Sequence, residues 1–148
     1  MRVSDVVRAK RRRLINIFPD ESIRDASRLI VEHAVGALLV CEADGGLIGL
    51  LPERDIIRFI TLHGDAALDA PVREAMQHAY PVASPNDPVV DIMRIMIDQH
   101  IRHLPVIDAG IVVDVISIGD VLKSRLVEKD EEAAVLRDIA RATLAIAA

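Results

Sequence analysis

The chain carries an internal duplication, in which residues 14–60 are repeated across residues 80–126. The repeated segments are SIRD (22–25) with PVVD (88–91), VGALLVCE (35–42) with IRHLPVID (101–108), and LPERDIIR (51–58) with ISIGDVLK (116–123). The second copy is one residue shorter, most simply in a turn, where DGG (44–46) becomes AG (109–110). Turns of a duplicated fold tolerate such a deletion. Because two similar surfaces then face each other, the functional site is expected at the seam between the halves.

The composition favours a packed α/β protein over a nucleic-acid-binding one. Of the 148 residues, 51% are apolar but only 2% are aromatic and none is Trp, which describes a core of Val, Ile, Leu and Ala. Base-stacking modules need aromatic side chains and polyanion binding needs clustered cations, whereas this chain has a net charge of −5. Nucleic acid is therefore not an expected partner. The length suits one domain or two dependent halves, and we favour two halves that share one core.

Residues 8–13, with the sequence RAKRRR, form a basic run in this acidic chain. Like charges in a row usually stay solvated, so the run is interpreted as a solvated loop, with contact to a phosphate or an acidic partner as the alternative.

The single cysteine, Cys41, lies in an apolar run and is predicted to be a buried thiol rather than a nucleophile or ligand. No stretch is long enough to span a membrane and the charged start of the chain has no apolar signal region, which predicts a cytoplasmic protein without membrane contact.

Each copy has the pattern strand, helix, strand, strand, helix. In the first copy Asp20 or Ser22 is expected to cap the helix, and in the second Asp87 is the predicted N-cap with Pro88 at the first helical position. Each hairpin has a glycine at its turn. The segment VREAM (72–76) resembles VSDVV (3–7) and marks the beginning of its half. We divide the chain into a first repeat (1–63), a linker (64–71), a second repeat (72–126) and a C-terminal helix (127–148).

The C-terminal region predicts an amphipathic helix that is longer than its repeat requires. It runs from about Val121 to Ala148 without Gly or Pro, and its apolar residues recur at helical spacing. These residues are Leu126, Ala133, Leu136, Ala140 and Leu144. This apolar stripe is expected to be buried. Either the helix folds back on its own domain or it packs against a copy of itself, and we slightly favour self-association.

The paired hairpin and helix motifs resemble the two halves of a cystathionine β-synthase (CBS) domain pair of the stand-alone bacterial type. The first half carries VGALLV (35–40) followed by GLLPERD (49–55), and the second carries RHLPV (102–106) followed by VISIGD (115–120). The resemblance covers residues 1 to about 126. It implies an α/β fold of two β-α-β-β-α units packed through their sheets, with clefts between them that bind adenosine nucleotides in many members.

The resemblance also implies which residues meet the nucleotide. By position, Asp55 and Asp120 would hold ribose hydroxyls, Arg54 would contact phosphate, and Ser117 would offer a hydroxyl in the second cleft. The full set of candidates is Gly49, Arg54, Asp55, Arg102, His103, Ser117 and Asp120. A purely structural interpretation exists as well, because a Ser with an Asp three residues later at a helix start is also a capping box.

Two positions depart from the family motif and impair the two clefts differently. Pro52 stands where the family usually has Ser or Thr, which removes a hydroxyl from the first cleft. Asp114 stands where the second motif usually has glycine, the equivalent of Gly49, and adds a charged side chain. We expect at most one competent nucleotide site and favour the first, which retains Gly49, Arg54 and Asp55.

The sequence features bear on three functional classes. The leading prediction is a regulatory sensor that binds AMP, ADP or ATP between the repeats and passes a change of shape or oligomeric state to a regulated protein of unknown identity. The alternative is a structural dimerisation module with degenerate clefts. An enzyme is disfavoured, because the sequence shows no metal-ligand spacing, phosphate loop or nucleophile elbow. No catalytic residue, metal or required cofactor is predicted, and a homodimer is expected.

Overall fold

The computed structural model of the protein describes residues 1–10 and 14–147. The elements are α1 (Val3–Ala9), β1 (Asn16–Ile17), α2 (Ile23–His33), β2 (Ala37–Cys41), β3 (Leu47–Pro52), α3 (Glu53–His63), α4 (Val89–Asp98), β4 (His103–Asp108), β5 (Ile111–Ser117) and α5 (Ile118–Ala147). Two 3₁₀ turns, Gly64–Asp69 and Val72–Glu74, connect α3 to the second half.

The two halves repeat the same strand topology. In the first, β1 lies parallel to β2 and β2 lies antiparallel to β3. In the second, β4 and β5 form the antiparallel hairpin, and the first strand is reduced to a single parallel bridge between Ala83 and Val106, which matches the pairing of Ile17 with Val40. The predicted β-α-β-β-α order is therefore confirmed.

The core is divided, contrary to the expectation of one shared core. One apolar cluster lies around Ile17, Leu38 and Leu51 in the first half, and a second lies in the other half. A small third cluster joins the two sheets and contains Cys41, which is 7% exposed, so the predicted buried thiol is confirmed. Each half thus has its own core. One face of its hairpin is covered by helices and the other by the hairpin of the opposite half, so apolar side chains are buried on both faces.

The segment that precedes each repeat packs on the opposite half. Val3 and Val6 of α1 belong to the second core, and the Val3 amide donates to the Asp87 carbonyl at 3.0 Å. Val72 belongs to the first core, and its amide donates to the Glu21 carbonyl at 2.8 Å. The halves are consequently tied together by an exchange of these segments as well as by their sheets.

The local predictions at helix ends and turns have mixed outcomes. Ser22 caps α2 as predicted, because its hydroxyl accepts the Asp25 amide at 3.1 Å. The N-cap prediction for Asp87 is wrong: Pro88 is the N-cap of α4, and the Asp87 carboxylate accepts the Ser84 amide at 2.7 Å in the preceding turn. A turn of this type satisfies the carboxylate before the helix begins. The hairpin glycines are confirmed, with φ of 89° at Gly45 and 80° at Gly110.

The long helix α5 has 30 residues and extends away from the module. Residues 135–147 are all exposed, so the fold-back alternative is not observed in the described part of the helix. Its apolar face carries Leu126, Leu136 and Leu144 at 67%, 65% and 71% exposure. Among residues 1–10 and 14–147, no helix is both long and apolar enough to cross a membrane.

Candidate functional site: two clefts between the repeats

Two clefts lie between the halves, each at the N-terminus of the last helix of a repeat. The α3 end meets the loop that follows α4, and the α5 end meets the loop that follows α2. Equivalent hydrogen bonds within each half position the two helix starts, because the Glu53 amide donates to the Gly36 carbonyl and the Ile118 amide donates to the Arg102 carbonyl, both at 2.9 Å. The duplication therefore produces two clefts with one backbone plan.

The first cleft has a volume of about 310 Å³. Its floor and one wall come from β3 and α3, and the other wall comes from residues 99–103. The sequence-predicted residues that line it are Arg54, Asp55, Arg102 and His103. Small-molecule sites usually start at about 300 Å³, so this cleft is large enough for a ligand of modest size.

Asp55 is the buried carboxylate of the first cleft, at 8% exposure. Its Oδ2 accepts a hydrogen bond of 2.6 Å from the Gln77 amide, and its Oδ1 lies 3.6 Å from the Arg58 guanidinium. Asp55 is in the first turn of α3, where the helix dipole favours a negative charge. Asp55 thus presents its carboxyl oxygens to a pocket that a ligand hydroxyl can enter.

Positive charge lies at the exposed side of the same cleft. Arg54 and Arg102 are both exposed, and neither forms an ion pair within the described residues. The free amides at the start of α3 also attract anions. A carboxylate at depth and guanidinium groups at the mouth suit a ligand that has hydroxyls at one part and an anionic group at another.

His103 lies between the clefts and lines both. Burial lowers the pKa of His103 below its ordinary value, although Glu53 and Asp120 act in the opposite direction. Its ring also occupies the space beside Gly36, where an added Cβ would come within 2.6 Å of the His103 Nε2. Gly36 is therefore required to be small so that the imidazole can sit at the seam.

The second cleft is much smaller, at about 90 Å³, and the Lys10 side chain lines it. The Lys10 Nζ lies 3.1 Å from the Asp120 Oδ2 and 3.4 Å from the Asp114 Oδ1, and it donates to the Val115 carbonyl. The side chain of Lys10 is only 15% exposed. For this residue the solvated-loop interpretation is wrong, because the ammonium is paired with two acidic groups of the same chain. Arg8 is exposed, and residues 11–13 lie outside the described residues.

Ser117 and Asp120 form the capping box at the start of α5. The Ser117 amide donates to the Asp120 Oδ2 at 2.8 Å, and the Asp120 amide donates to the Ser117 Oγ at 3.1 Å. Burial alone would raise the pKa of Asp120, but the Ser117 amide and Lys10 outweigh it and the pKa lies below its ordinary value. The pKa of Asp114 is raised, because its burial outweighs the stabilisation by Lys10. Both Ser117 and Asp120 line the second cleft. The Oδ2 atom of Asp120 already accepts the Ser117 amide and pairs with Lys10.

Gly49 lies outside the lining of the first cleft. It is buried in β3, where an added Cβ would collide with the Met76 side chain and approach the Gln77 carbonyl to 3.2 Å. The glycine therefore makes room for the segment that ends in Gln77. Asp114 takes the equivalent place in β5, since Val40 pairs with Gly49 as Val106 pairs with Asp114.

Sequence reasoning missed Gln77, Arg58 and Lys10 as cleft residues. Gln77 and Lys10 arrive from the segments exchanged between the halves, and a motif-based comparison does not predict that exchange. Arg58 had a signal, because a cation three residues after Asp55 on a helix can reach its carboxylate. Within residues 1–10 and 14–147, no group of His, Cys, Asp or Glu is arranged to hold a metal ion.

Comparison with known proteins identifies the family. The CBS domain model matches residues 3–62 and 72–126. The CBS domain-containing protein YhcV of Bacillus subtilis is 32% identical over 110 residues, covering 74% of this chain and 77% of that protein. CBSX3, a mitochondrial CBS domain-containing protein of Arabidopsis thaliana, is 32% identical over 117 residues, and the chain spans only 57% of its length.

Solved structures show the same fold. The CBS-domain containing protein ATU1752 from Agrobacterium tumefaciens superposes with a TM-score of 0.81 at 34% identity, covering 84% of this chain and 99% of that one. CBSX2, solved in complex with AMP, superposes with a TM-score of 0.72 at 25% identity, covering 86% of this chain and 98% of that one. Such modules are non-catalytic. The chain belongs to the CBS domain family as a tandem pair of CBS repeats, similar to bacterial CBS-domain proteins.

Proposed function

We propose that the protein is a regulatory module that binds an adenine nucleotide, AMP, ADP or ATP, in the first cleft. The observation that carries the proposal is the arrangement of this cleft, with the buried Asp55 carboxylate inside and, at its exposed side, Arg54 and Arg102, which have no ion-pair partner among the described residues. The relative CBSX2, which binds AMP in its crystal structure, supports the ligand class.

The ribose and the phosphate are assigned to different groups of this cleft. The two hydroxyls of a ribose can both donate to one carboxylate, and Asp55 retains acceptor capacity on the oxygen that faces Arg58. Arg54 and Arg102 come from different halves, so a phosphate between them would join the halves. Pro52 offers no hydroxyl here, and the Gln77 amide beside Asp55 supplies a polar group from another segment.

Regulation would follow from this bridging position. A ligand shifts an equilibrium between two arrangements of the halves only by its differential affinity for them. A nucleotide held by Asp55 on α3 and by Arg102 before β4 favours the arrangement in which both contacts form. In this proposal residues 1–63 and 72–126 are the two repeats, residues 64–71 link them, and residues 127–148 form the C-terminal helix. A cytoplasmic location fits the single reduced thiol.

Calorimetric titration with AMP and with ATP tests the proposal. The wild type is compared with Asp55→Ala and with the matched variant Asp120→Ala of the second cleft. We expect saturable binding by the wild type and by Asp120→Ala, and its loss in Asp55→Ala. Absence of heat with both nucleotides would reject the sensor proposal and favour the dimerisation module.

We also propose that α5 forms a homodimer through its apolar stripe. Leu126, Leu136 and Leu144 are each about two-thirds exposed, and residues 135–147 of the helix are exposed throughout. Exposed apolar patches of this kind mark interaction sites. Light scattering at micromolar concentration should give a dimer mass for the wild type and for Arg137→Gln, and a monomer mass for Leu136→Gln. A monomer mass for the wild type contradicts this proposal.

A further inference from the structure

The Lys10 ammonium takes the place in the second cleft that a ligand would need. It lies against the same Asp120 oxygen that caps α5, it reaches Asp114, and it donates to the Val115 carbonyl. Its side chain is 15% exposed, and those of Asp114 and Asp120 are 11% and 28% exposed. A lysine with three acceptors at this depth is fully used, since an ammonium has three donors.

Among the described residues, the carboxylate of the first cleft has no largely buried ammonium beside it. The segment equivalent to α1 delivers Gln77 to Asp55, and this neutral amide makes a single hydrogen bond. Arg58 approaches the other oxygen, but its side chain is 67% exposed and the distance is 3.6 Å. A ribose can therefore bind the Asp55 oxygen that faces the exposed Arg58, whereas at Asp120 it must displace a largely buried ion pair.

Asp114 explains why this cation stays in place. Its carboxylate also accepts the Val115 amide at 2.7 Å, which fixes the side chain toward Lys10. Removing Lys10 alone would leave two carboxylates close together in a cleft that must accept a phosphate, and their charge would repel it. Opening the second cleft therefore requires the removal of both members of the pair.

We propose that Lys10 and Asp114 act together as an internal occupant of the second cleft and restrict the protein to one nucleotide for each chain. This inference rests on the proposed function, because it assumes that the clefts of this fold can bind nucleotides. It makes two residues specificity-determining: Lys10, which lies outside the family motif, and Asp114, which replaces a glycine of that motif. It also means that the N-terminal segment controls access to the second cleft.

A variant series in the Asp55→Ala background tests the inference without relying on the first cleft. Calorimetry with AMP is expected to show no saturable binding for Asp55→Ala alone, or when Lys129→Ala is added as an exposed-lysine control. The triple variant Asp55→Ala, Lys10→Ala, Asp114→Ala should bind about one AMP for each chain, and the further change Asp120→Ala should abolish this binding. A folded triple variant that binds no AMP overturns the inference.

The two proposals fail in distinguishable ways. If the wild type binds no nucleotide while the triple variant binds one, the first-cleft function is rejected and the role of Lys10 and Asp114 stands. If the wild type binds one AMP at Asp55 and the triple variant binds none, only the present inference is rejected.

A measurement on the unmodified protein keeps the inference testable if the triple variant does not fold. Reductive methylation under native conditions, followed by peptide mass spectrometry, compares Lys10 with Lys129, whose side chain is 60% exposed. Lys10 should react at least about tenfold more slowly, because it must leave the cleft by local opening before it reacts. Equal rates for the two lysines would show that Lys10 does not occupy the cleft in solution.

Discussion

The segments that precede the two repeats take equivalent places in the fold but end differently. Residues 3–9 form a helix on the second core, and the chain then places Lys10 in the second cleft. Residues 72–74 form a single 3₁₀ turn on the first core, and the chain continues to Gln77, whose backbone amide donates to the Leu50 carbonyl at 2.8 Å and whose side-chain amide donates to Asp55 in the first cleft. One cleft receives an ammonium and the other a neutral amide. A duplication can thus preserve the backbone while the side chain delivered to each cleft decides what the cleft can bind.

The strand residue that contacts each of these segments also differs between the halves. Gly49 lets residues 76 and 77 lie directly on β3, whereas Asp114 on β5 meets the end of the Lys10 side chain. Each cleft therefore has a matched pair of residues, one on the strand and one on the segment. The pair is Gly49 with Gln77 at the first cleft and Asp114 with Lys10 at the second. The following predictions test this matching.

The largest effect is expected when the strand residues are exchanged between the halves. Gly49→Asp should lower the free energy of unfolding by about 3 to 5 kcal/mol, because it buries a charge without a partner against Met76. Asp114→Gly should cost only about 1 kcal/mol, since Lys10 keeps Asp120 as its partner and a strand glycine costs about that amount. Urea denaturation measures both variants. Equal losses would contradict the matching of strand and segment.

The next effect concerns nucleotide affinity in the first cleft. Arg102→Ala removes one cation from the proposed phosphate contact, and a hydrogen bond to a charged group contributes about 1.5 to 3 kcal/mol. The dissociation constant for AMP should rise by about 10- to 100-fold. Arg94→Ala, which changes an exposed arginine on α4, should leave the affinity unchanged. Unchanged AMP binding by Arg102→Ala would remove this residue from the site.

A smaller effect is expected in the pH dependence of stability through Asp120. Its pKa lies below the ordinary 3.8, so its ionised form stabilises the fold above that value and the contribution is lost as the pH falls below it. Asp120→Asn should lower the free energy of unfolding by about 1 kcal/mol at pH 7. The difference from wild type should shrink below pH 3.8. Urea titrations from pH 7 to pH 3 measure this, with the exposed Asp130→Asn as control. A difference that stays constant with pH would contradict the ion-pair assignment.

The smallest effect concerns His103 at the seam. Burial lowers its pKa below 6.5, so as the pH falls through 6.5 the unfolded chain takes up the proton first and stability decreases. His103→Gln should make the free energy of unfolding less dependent on pH between 7 and 5.5, with the exposed His33→Gln as the control variant. Identical slopes for His103→Gln and wild type would show that the imidazole is not desolvated.

The sequence predicted those parts of the molecule that depend on local pattern. The repeat order, the hairpin glycines, the Ser22 cap and the buried Cys41 each follow from spacing or composition, and each is confirmed. The prediction that Asp87 caps α4 is wrong, because its carboxylate accepts the Ser84 amide of the preceding turn. Asp is favoured both as a helix N-cap and in the turn before a helix, so residue propensity does not choose between these two roles.

The site was predicted less completely, because its side chains come from segments distant in sequence. Arg54, Asp55, Arg102 and His103 do meet in one cleft, yet Gln77 reaches Asp55 only because the segment before the second repeat packs on the first. In the sequence, Lys10 is one member of a basic run that is predicted to be solvated. Its acidic partners lie more than a hundred residues away and become its neighbours only in the folded chain. Whether the candidate residues bind a nucleotide stays a prediction.

The structure of the protein crystallised with AMP tests the central claim most directly. The account predicts nucleotide in the first cleft, with its ribose hydroxyls within hydrogen-bond distance of the Asp55 carboxylate, and Lys10 still paired with Asp114 and Asp120 in the second. Nucleotide at Asp120 with Lys10 displaced and the first cleft empty would contradict it.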